Sequence, residues 1–306
     1  MKKDFFIIKA SNGFDLHCFH WKPIEQPVVG VVQIVHGMAE HVDRFHGFAK
    51  FLTDHGYAVI GHDHPGHGKS ASGKLGLVKS DDSFHLLVES THRVYKTIGD
   101  KYPNQPLFIF GHSMGSFITQ RLMQLQPIRP NGIIYSGSNG KPPLLLHFGI
   151  LLSKLLRKVF GPEKKSPLID YLTFAEYNKV FKPNRTDFDW LTRDQDIVDQ
   201  YVKDPACGFI YSVGFYHDLF LGLRTLHRHK SFSGFSKQIP ILLISGDQDP
   251  VSKMGKGVQQ LKTLLEKSGA ESVDMQLYPG GRHEMLHEIN RDEVMHDILS
   301  WIQHRT

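Results

Sequence analysis

The chain has 306 residues, 40% hydrophobic and 22% charged, enough to bury a large core as one α/β domain with an insertion or as two domains. Its formal net charge of +5 comes from Lys and Arg scattered along the chain, with no basic tail or stripe, which argues against a nucleic-acid partner. Two cysteines, Cys18 and Cys207, make neither a disulfide framework nor a metal-ligand pattern, and the apolar run Phe5 to Ile8 is too short for a signal-peptide core, so a soluble cytoplasmic protein, or one at the periphery of a membrane, is expected.

In chain order, residues 4–10 and 15–22 read as two strands joined by the turn Ser11-Asn12-Gly13. Residues 28–35, VVGVVQIV, form a β-branched run typical of a strand buried on both faces, and it ends in His36-Gly37-Met38-Ala39-Glu40-His41. A helix is expected over 45–55, stopping at Gly56, then a strand over 57–60 closed by GHDHPGHGKS. Apolar spacing predicts a helix over 83–100. Residues 107–110 follow as a buried strand, and the helical spacing of Phe117, Ile118, Leu122 and Leu125 follows that.

Between these two patterns lies Gly111-His112-Ser113-Met114-Gly115, a G-x-S-x-G turn. A strand turning this sharply into a helix holds its serine in strained geometry. The turn lifts the Ser113 hydroxyl out of the sheet, near a helix N-terminus that favours developing negative charge. A further strand is expected over 133–135. The β/α rhythm then stops: residues 141–236 are helical, aromatic and broken by proline. It resumes with strands at 239–245 and 273–278 and helices at 257–267 and 292–304. The alternation indicates a mostly parallel α/β sheet flanked by helices, formed by residues 1–140 and 237–306, with 141–236 as a helical cap.

A serine hydroxyl is a weak nucleophile unless a base takes its proton and a third group orients that base. Both partners are available on loops that follow later strands. One is Gly246-Asp247-Gln248-Asp249-Pro250 and the other Pro279-Gly280-Gly281-Arg282-His283-Glu284. With HGMAEH, DHPGHGKS, GHSMG, SGDQDP and GGRHEMLHE in this order over about residues 28–290, the chain resembles an α/β-hydrolase of the monoacylglycerol lipase/lysophospholipase family.

The resemblance implies Ser113 as nucleophile, His283 as general base and acid, and Asp249 as the orienting acid. Asp247, on the same loop, is the alternative for the acid, with a turn-forming role as its other reading. The oxyanion hole would use the backbone N–H groups of Met114 and Met38, with Gly37 allowing close approach. Glu40, His41 and Arg44 are read as contacts that hold Met38 in place, and His287 as a surface histidine. No metal or organic cofactor is expected. His62, His64 and His67 are residue types that zinc uses, but their spacing matches no zinc motif, and the resemblance makes Asp63, Gly66, His67, Gly68 and Ser70 a structural loop.

The cap opens with Leu144 to Phe160, whose Leu144, Phe148, Leu152, Leu155 and Val159 share a helical face, with Ser153, Lys154, Arg157 and Lys158 opposite or flanking. It is too short and too charged to span a bilayer. It reads either as packed on its own domain or as touching a lipid interface. The aromatic run from Phe209 to Phe220 offers Phe209, Phe215 and Tyr216 as substrate-binding side chains, or else as cap core. The expected substrate is a small-molecule lipid ester. The rival readings are a carboxylesterase or thioesterase for non-lipid substrates, and a non-catalytic lipid-binding protein on the same fold.

Overall fold

A computed structural model describes residues 1–71, 73–142, 145–226 and 235–306. The N-terminal hairpin pairs β1 (Lys2–Lys9) with β2 (Asp15–Lys22), residue for residue from Lys2 opposite Lys22. Next come β3 (Gly30–Val35), α1 (His46–Asp54), β4 (Tyr57–His62), α2 (Ser83–Lys101), β5 (Leu107–His112), α3 (Met114–Leu125) and β6 (Gly132–Ser136). Among the described residues four helices follow: α4 (Leu145–Phe160), α5 (Pro167–Lys179), α6 (Gln195–Lys203) and α7 (Val213–Leu226). The chain closes with β7 (Ile241–Gly246), α8 (Lys256–Lys267), β8 (Val273–Tyr278) and α9 (Arg291–Gln303).

The sheet order is β1-β2-β4-β3-β5-β6-β7-β8. β2 runs antiparallel to both β1 and β4, and every later pairing is parallel. β3, β4, β5, β6 and β7 are buried along their whole length, which is why they read as continuous apolar runs. The two-residue period of a strand divides their side chains between two layers. Val31, Val35, Leu107, Ile109, Ile241 and Leu243 face the core shared with α2, α3 and α8. Val32, Ile34, Phe108, Phe110, Leu242 and Ile244 face the one shared with α1 and α9. Each such fully buried side chain contributes roughly 1.5–3 kcal/mol of transfer free energy.

The helices between β6 and β7 do not pack uniformly. α7 joins the α2/α3 core through Phe215, Tyr216, Leu219 and Phe220, and its Asp218 accepts the Ser83 N–H at 2.9 Å. Trp190, Leu191, Tyr201 and Cys207 make a separate small cluster with Phe174, Tyr177, Phe181 and Phe188. On α4 the inward face is Leu146 with Ser153, while Leu145, Phe148, Leu151, Leu155 and Val159 are each more than half exposed. Of the apolar face expected from the sequence, Phe148, Leu155 and Val159 are thus turned outward, whereas Leu152 is partly buried against the core. Leu144, the first residue of that expected face, lies outside the described residues, as do 227–234 within the expected cap. Among the described residues no helix is long and apolar enough to cross a membrane.

Candidate active site

β5 delivers the turn at its C-terminal end. Ser113 takes φ +50°, ψ −119°, a left-handed conformation that costs a non-glycine residue of order 1–3 kcal/mol. The strain is held by neighbours. Ser113 N–H donates to Ser136 O at 2.9 Å, and Ser116 Oγ donates to Ser113 O at 2.6 Å. A Cβ at Gly115 would lie 2.0 Å from Val35 O, and one at Gly111 would lie 2.8 Å from Gly115 O, so only glycine lets β3, β5 and α3 meet this closely.

Ser113, His283, His112 and Met38 line one cavity of ≈ 610 Å³, walled on the other side by α5 and by the segment around Trp190 and Phe209. His283 is 2% exposed and donates from Nδ1 to Asp249 Oδ1 at 3.0 Å. Asp249 is fully buried, and it also accepts from Val251 N–H at 2.9 Å and from Ser245 Oγ at 3.2 Å. Burial opposes a charge on His283. The facing Asp249 carboxylate and its hydrogen bond outweigh that, with help from Glu284 and Glu40, so its pKa stands above the ordinary value. Asp247 goes elsewhere: its Oδ1 accepts Gly280 N–H at 2.8 Å, a bond that ties its loop to the next one rather than a local turn. A histidine with one nitrogen tied to a buried carboxylate has the other left for proton transfer.

In the loop after β3, Gly37 N–H donates to Glu40 Oε1 and Ala39 N–H donates to the Tyr211 hydroxyl. Among the described residues the Met38 N–H between them has no partner, and Met114, as the first residue of α3, has no intrahelical acceptor for its own. Glu40 and Arg44 hold this loop as expected, but they do so within a larger buried network. Arg44 Nη1 donates to Glu40 Oε2 and Glu284 Oε1, both at 2.6 Å, and Nη2 donates to Glu284 Oε2 at 2.7 Å. Burial works against the Glu284 charge, but the Arg44 guanidinium holds its carboxyl well below the usual range. His287 is not a free surface histidine: its Nδ1 meets Glu284 Oε2 and its Nε2 meets Arg44 O, each at 3.0 Å. The network links the residue next to His283 to the loop that carries Met38.

Of the histidines at and after the end of β4, His67 has a protein partner on each ring nitrogen and His64 on one, while His64 Nδ1 and both nitrogens of His62 are buried without a partner among the described residues. His67 donates from Nδ1 to Pro65 O and accepts the Tyr211 hydroxyl on Nε2, while His64 Nε2 donates to His36 O. Asp63 accepts the N–H groups of Val42 and Lys69, and Ser70 Oγ accepts His17 N–H. These bonds are those of a structural loop.

Of the aromatic candidates, Phe209 lines the cavity. Phe215 and Tyr216 do not. Phe215 stacks on Tyr211 at 4.2 Å and is 1% exposed, and Tyr216 is fully buried with its hydroxyl donating to Asp170. Helical spacing buries both in the core shared with α2 and α3. The sequence reading missed Trp190, whose ring lies 5.0 Å from that of His283. It also missed α5, which separates two cavities. Asp170, Phe174 and Asn178 line the catalytic one. Ile169, Leu172, Thr173 and Tyr177 line an apolar one of ≈ 270 Å³, closed by α4 and Phe117. A helix with a cavity on either side needs no apolar stripe, so nothing in its periodicity announced it.

Residues 26–290 match the model of the serine aminopeptidase S33 family. The chain belongs to this family. It is a serine hydrolase, and its fold is that of the α/β-hydrolases. The monoglyceride lipase of Mus musculus is 28% identical over 96% of this chain and 89% of its own. The monoacylglycerol lipase of Mycolicibacterium smegmatis is 26% identical over 92% and 90%. Among solved structures, a thermostable carboxyl esterase from Bacillus coagulans superposes with a TM-score of 0.92 at 28% identity, covering 99% of both chains.

Proposed function

We propose that this chain is a lipase-type serine ester hydrolase. Its substrate is a long-chain acyl ester of a small polar alcohol, a monoacylglycerol or lysophospholipid. The observation that carries the reading is a strained, cavity-facing Ser113 beside a buried His283 tied through Nδ1 to a buried Asp249. Ser113 Oγ attacks the ester carbonyl as His283 Nε2 takes its proton, and Asp249 steadies the imidazolium. Negative charge on the tetrahedral oxygen is met by the Met38 and Met114 N–H groups. His283 then protonates the departing alcohol, and a water activated by His283 releases the fatty acid from Ser113. No step calls for a metal or organic cofactor.

The names of the curated relatives support a lipid ester. The bound glycerol of the Bacillus coagulans structure supports a glycerol-sized alcohol. The catalytic cavity, with Phe174, Phe188, Trp190 and Phe209 in its lining, suits an acyl chain. Residues 141–236 act as a cap that controls access to Ser113. The outward Leu145, Phe148, Leu151, Leu155 and Val159, flanked by exposed Lys154 and Lys158, support peripheral contact of α4 with a lipid surface. A second reading, a carboxylesterase for shorter esters, is favoured by the name of the Bacillus coagulans neighbour.

Two measurements test the proposal. A fluorophosphonate probe labels the wild type, and Ser113→Ala abolishes both labelling and turnover while leaving the thermal midpoint nearly unchanged. Retention of a tenth of the rate refutes the assignment. A panel of monoacylglycerols, lysophospholipids and short p-nitrophenyl esters then ranks substrates. Preference for the short soluble esters favours the carboxylesterase reading.

A further inference from the structure

Three side chains of different chemistry meet at the seam between the loop after β3 and the segment after α6. His41 Nε2 lies 2.9 Å from Asp204 Oδ2, and with the Cys207 sulfur the three ligand atoms lie within 4.8 Å of one another. The sequence hid this group, since 163 positions separate His41 from Asp204. We propose that His41, Asp204 and Cys207 form an inhibitory binding site for a borderline-soft divalent cation, zinc foremost, that acts through the loop carrying Met38.

The donor set selects the ion. One imidazole, one carboxylate and one thiolate suit zinc, whereas calcium and magnesium want oxygen alone. Tetrahedral zinc with bonds of about 2.0–2.3 Å places its ligand atoms about 3.3–3.8 Å apart, a small adjustment from the spacing seen. Three protein ligands leave a fourth position for water. The His41 and Asp204 side chains are 18% and 35% exposed, which gives the ion a path in from solvent. The carboxylate is already oriented, because Asp204 Oδ1 accepts Ala206 N–H at 2.8 Å and Oδ2 remains for the site. Arg44, the nearby cation, is neutralised by Glu40 and Glu284. On binding, the Cys207 thiol loses its proton to buffer as the sulfur–metal bond forms, so affinity rises with pH.

The effect on turnover follows from what the site touches. Ala39, at φ +52°, offers its carbonyl to Gly208 N–H and to the Tyr201 hydroxyl, both at 2.9 Å. Cys207 precedes Gly208, and His41 lies two residues after Ala39. Drawing Cys207 and His41 onto one ion therefore shifts both anchors of the loop beside Met38. The metal site does not depend on the roles assigned to Ser113, His283 and Asp249.

Chelator-treated protein is titrated with Co²⁺, followed by the thiolate-to-cobalt charge-transfer absorption, and with Zn²⁺, followed by calorimetry and by hydrolysis of a soluble short-chain ester. The expected result is one ion per chain, a charge-transfer band, and a rate that falls several-fold with the binding midpoint and recovers on chelation. Cys207→Ser abolishes the band. Cys207→Ser and Asp204→Asn each weaken zinc binding by about a hundredfold or more, since even outer-shell changes cost 10–100-fold. Both also relieve inhibition, each judged against its own metal-free rate. Asp204→Asn keeps the side-chain volume and the acceptor for Ala206, so it stands if Cys207→Ser folds poorly. Absence of the band, its persistence in Cys207→Ser, binding without a change in rate, or undiminished inhibition in Asp204→Asn overturns the proposal. The last of these would mark zinc bound at His283 instead.

Discussion

Replacing Asp249 by Asn isolates the charge of the proposed acid. Val251 N–H and His283 Nδ1 both address Oδ1, so the amide oxygen must stay at that position and the amide nitrogen faces Ser245 Oγ, which can accept. The His283 tautomer is therefore retained, and what is lost is the negative charge beside the imidazolium. Two unit charges about 4 Å apart interact by about 4 kcal/mol at an effective dielectric constant of 20, which corresponds to about a thousandfold in rate. The pH profile moves as well. Burial lowers the His283 pKa and the carboxylate raises it beyond that, so removing the carboxylate leaves burial to act alone. In kcat/KM measured from pH 4 to 9, the plateau falls by about a thousandfold and the acid limb shifts to lower pH. Asp247→Asn, which loses only part of a loop-to-loop contact with Gly280, stays within about tenfold of wild type. A loss below tenfold for Asp249→Asn, an unmoved acid limb, or equal losses for the two variants would refute the reasoning.

Acid should unfold the protein through the histidines around the β4 loop. Burial depresses His62 to about 3 and His67 to about 4, whereas in the unfolded chain each titrates near about 6.5. Below the unfolded value the unfolded state binds more protons, so stability falls with pH by up to about 1.4 kcal/mol per unit for each such histidine, until the folded value is reached. Urea midpoints from pH 7 to 4 check this, and His67→Gln should flatten the slope. For the proposed interface, Lys154→Glu with Lys158→Glu should weaken binding to anionic vesicles by about 1 kcal/mol or more per site and spare hydrolysis of a soluble ester. Equal losses on both substrates would make α4 structural. Arg157 is left intact because it faces the buried Asp218 at 3.4 Å. Tyr216→Phe removes the bond to Asp170, so it should cost about 1–3 kcal/mol of stability with KM unchanged, and a raised KM would return Tyr216 to the substrate.

What the sequence determined alone was local. A β-branched run that ends in glycine must be a buried strand, a Gly-flanked serine between strand and helix must be a strained turn, and each follows from interactions within a few residues. The bounds moved little, Ser83–Lys101 for an expected 83–100 and Val273–Tyr278 as expected. Local pattern alone could not choose between Asp247 and Asp249 on one loop. The resemblance pointed to Asp249, and in the fold His283, 34 positions away, approaches that residue. Amphipathic spacing in α4 and aromatic density near Phe215 identified apolar faces without saying what they meet. The tertiary structure turned most of the first outward, Leu152 excepted, and buried the second against α2 and α3. Burial depends on which elements arrive from elsewhere in the chain. For the same reason the buried Arg44 network, the Trp190 ring on His283 and the meeting of His41 with Asp204 and Cys207 became visible only once the chain had folded.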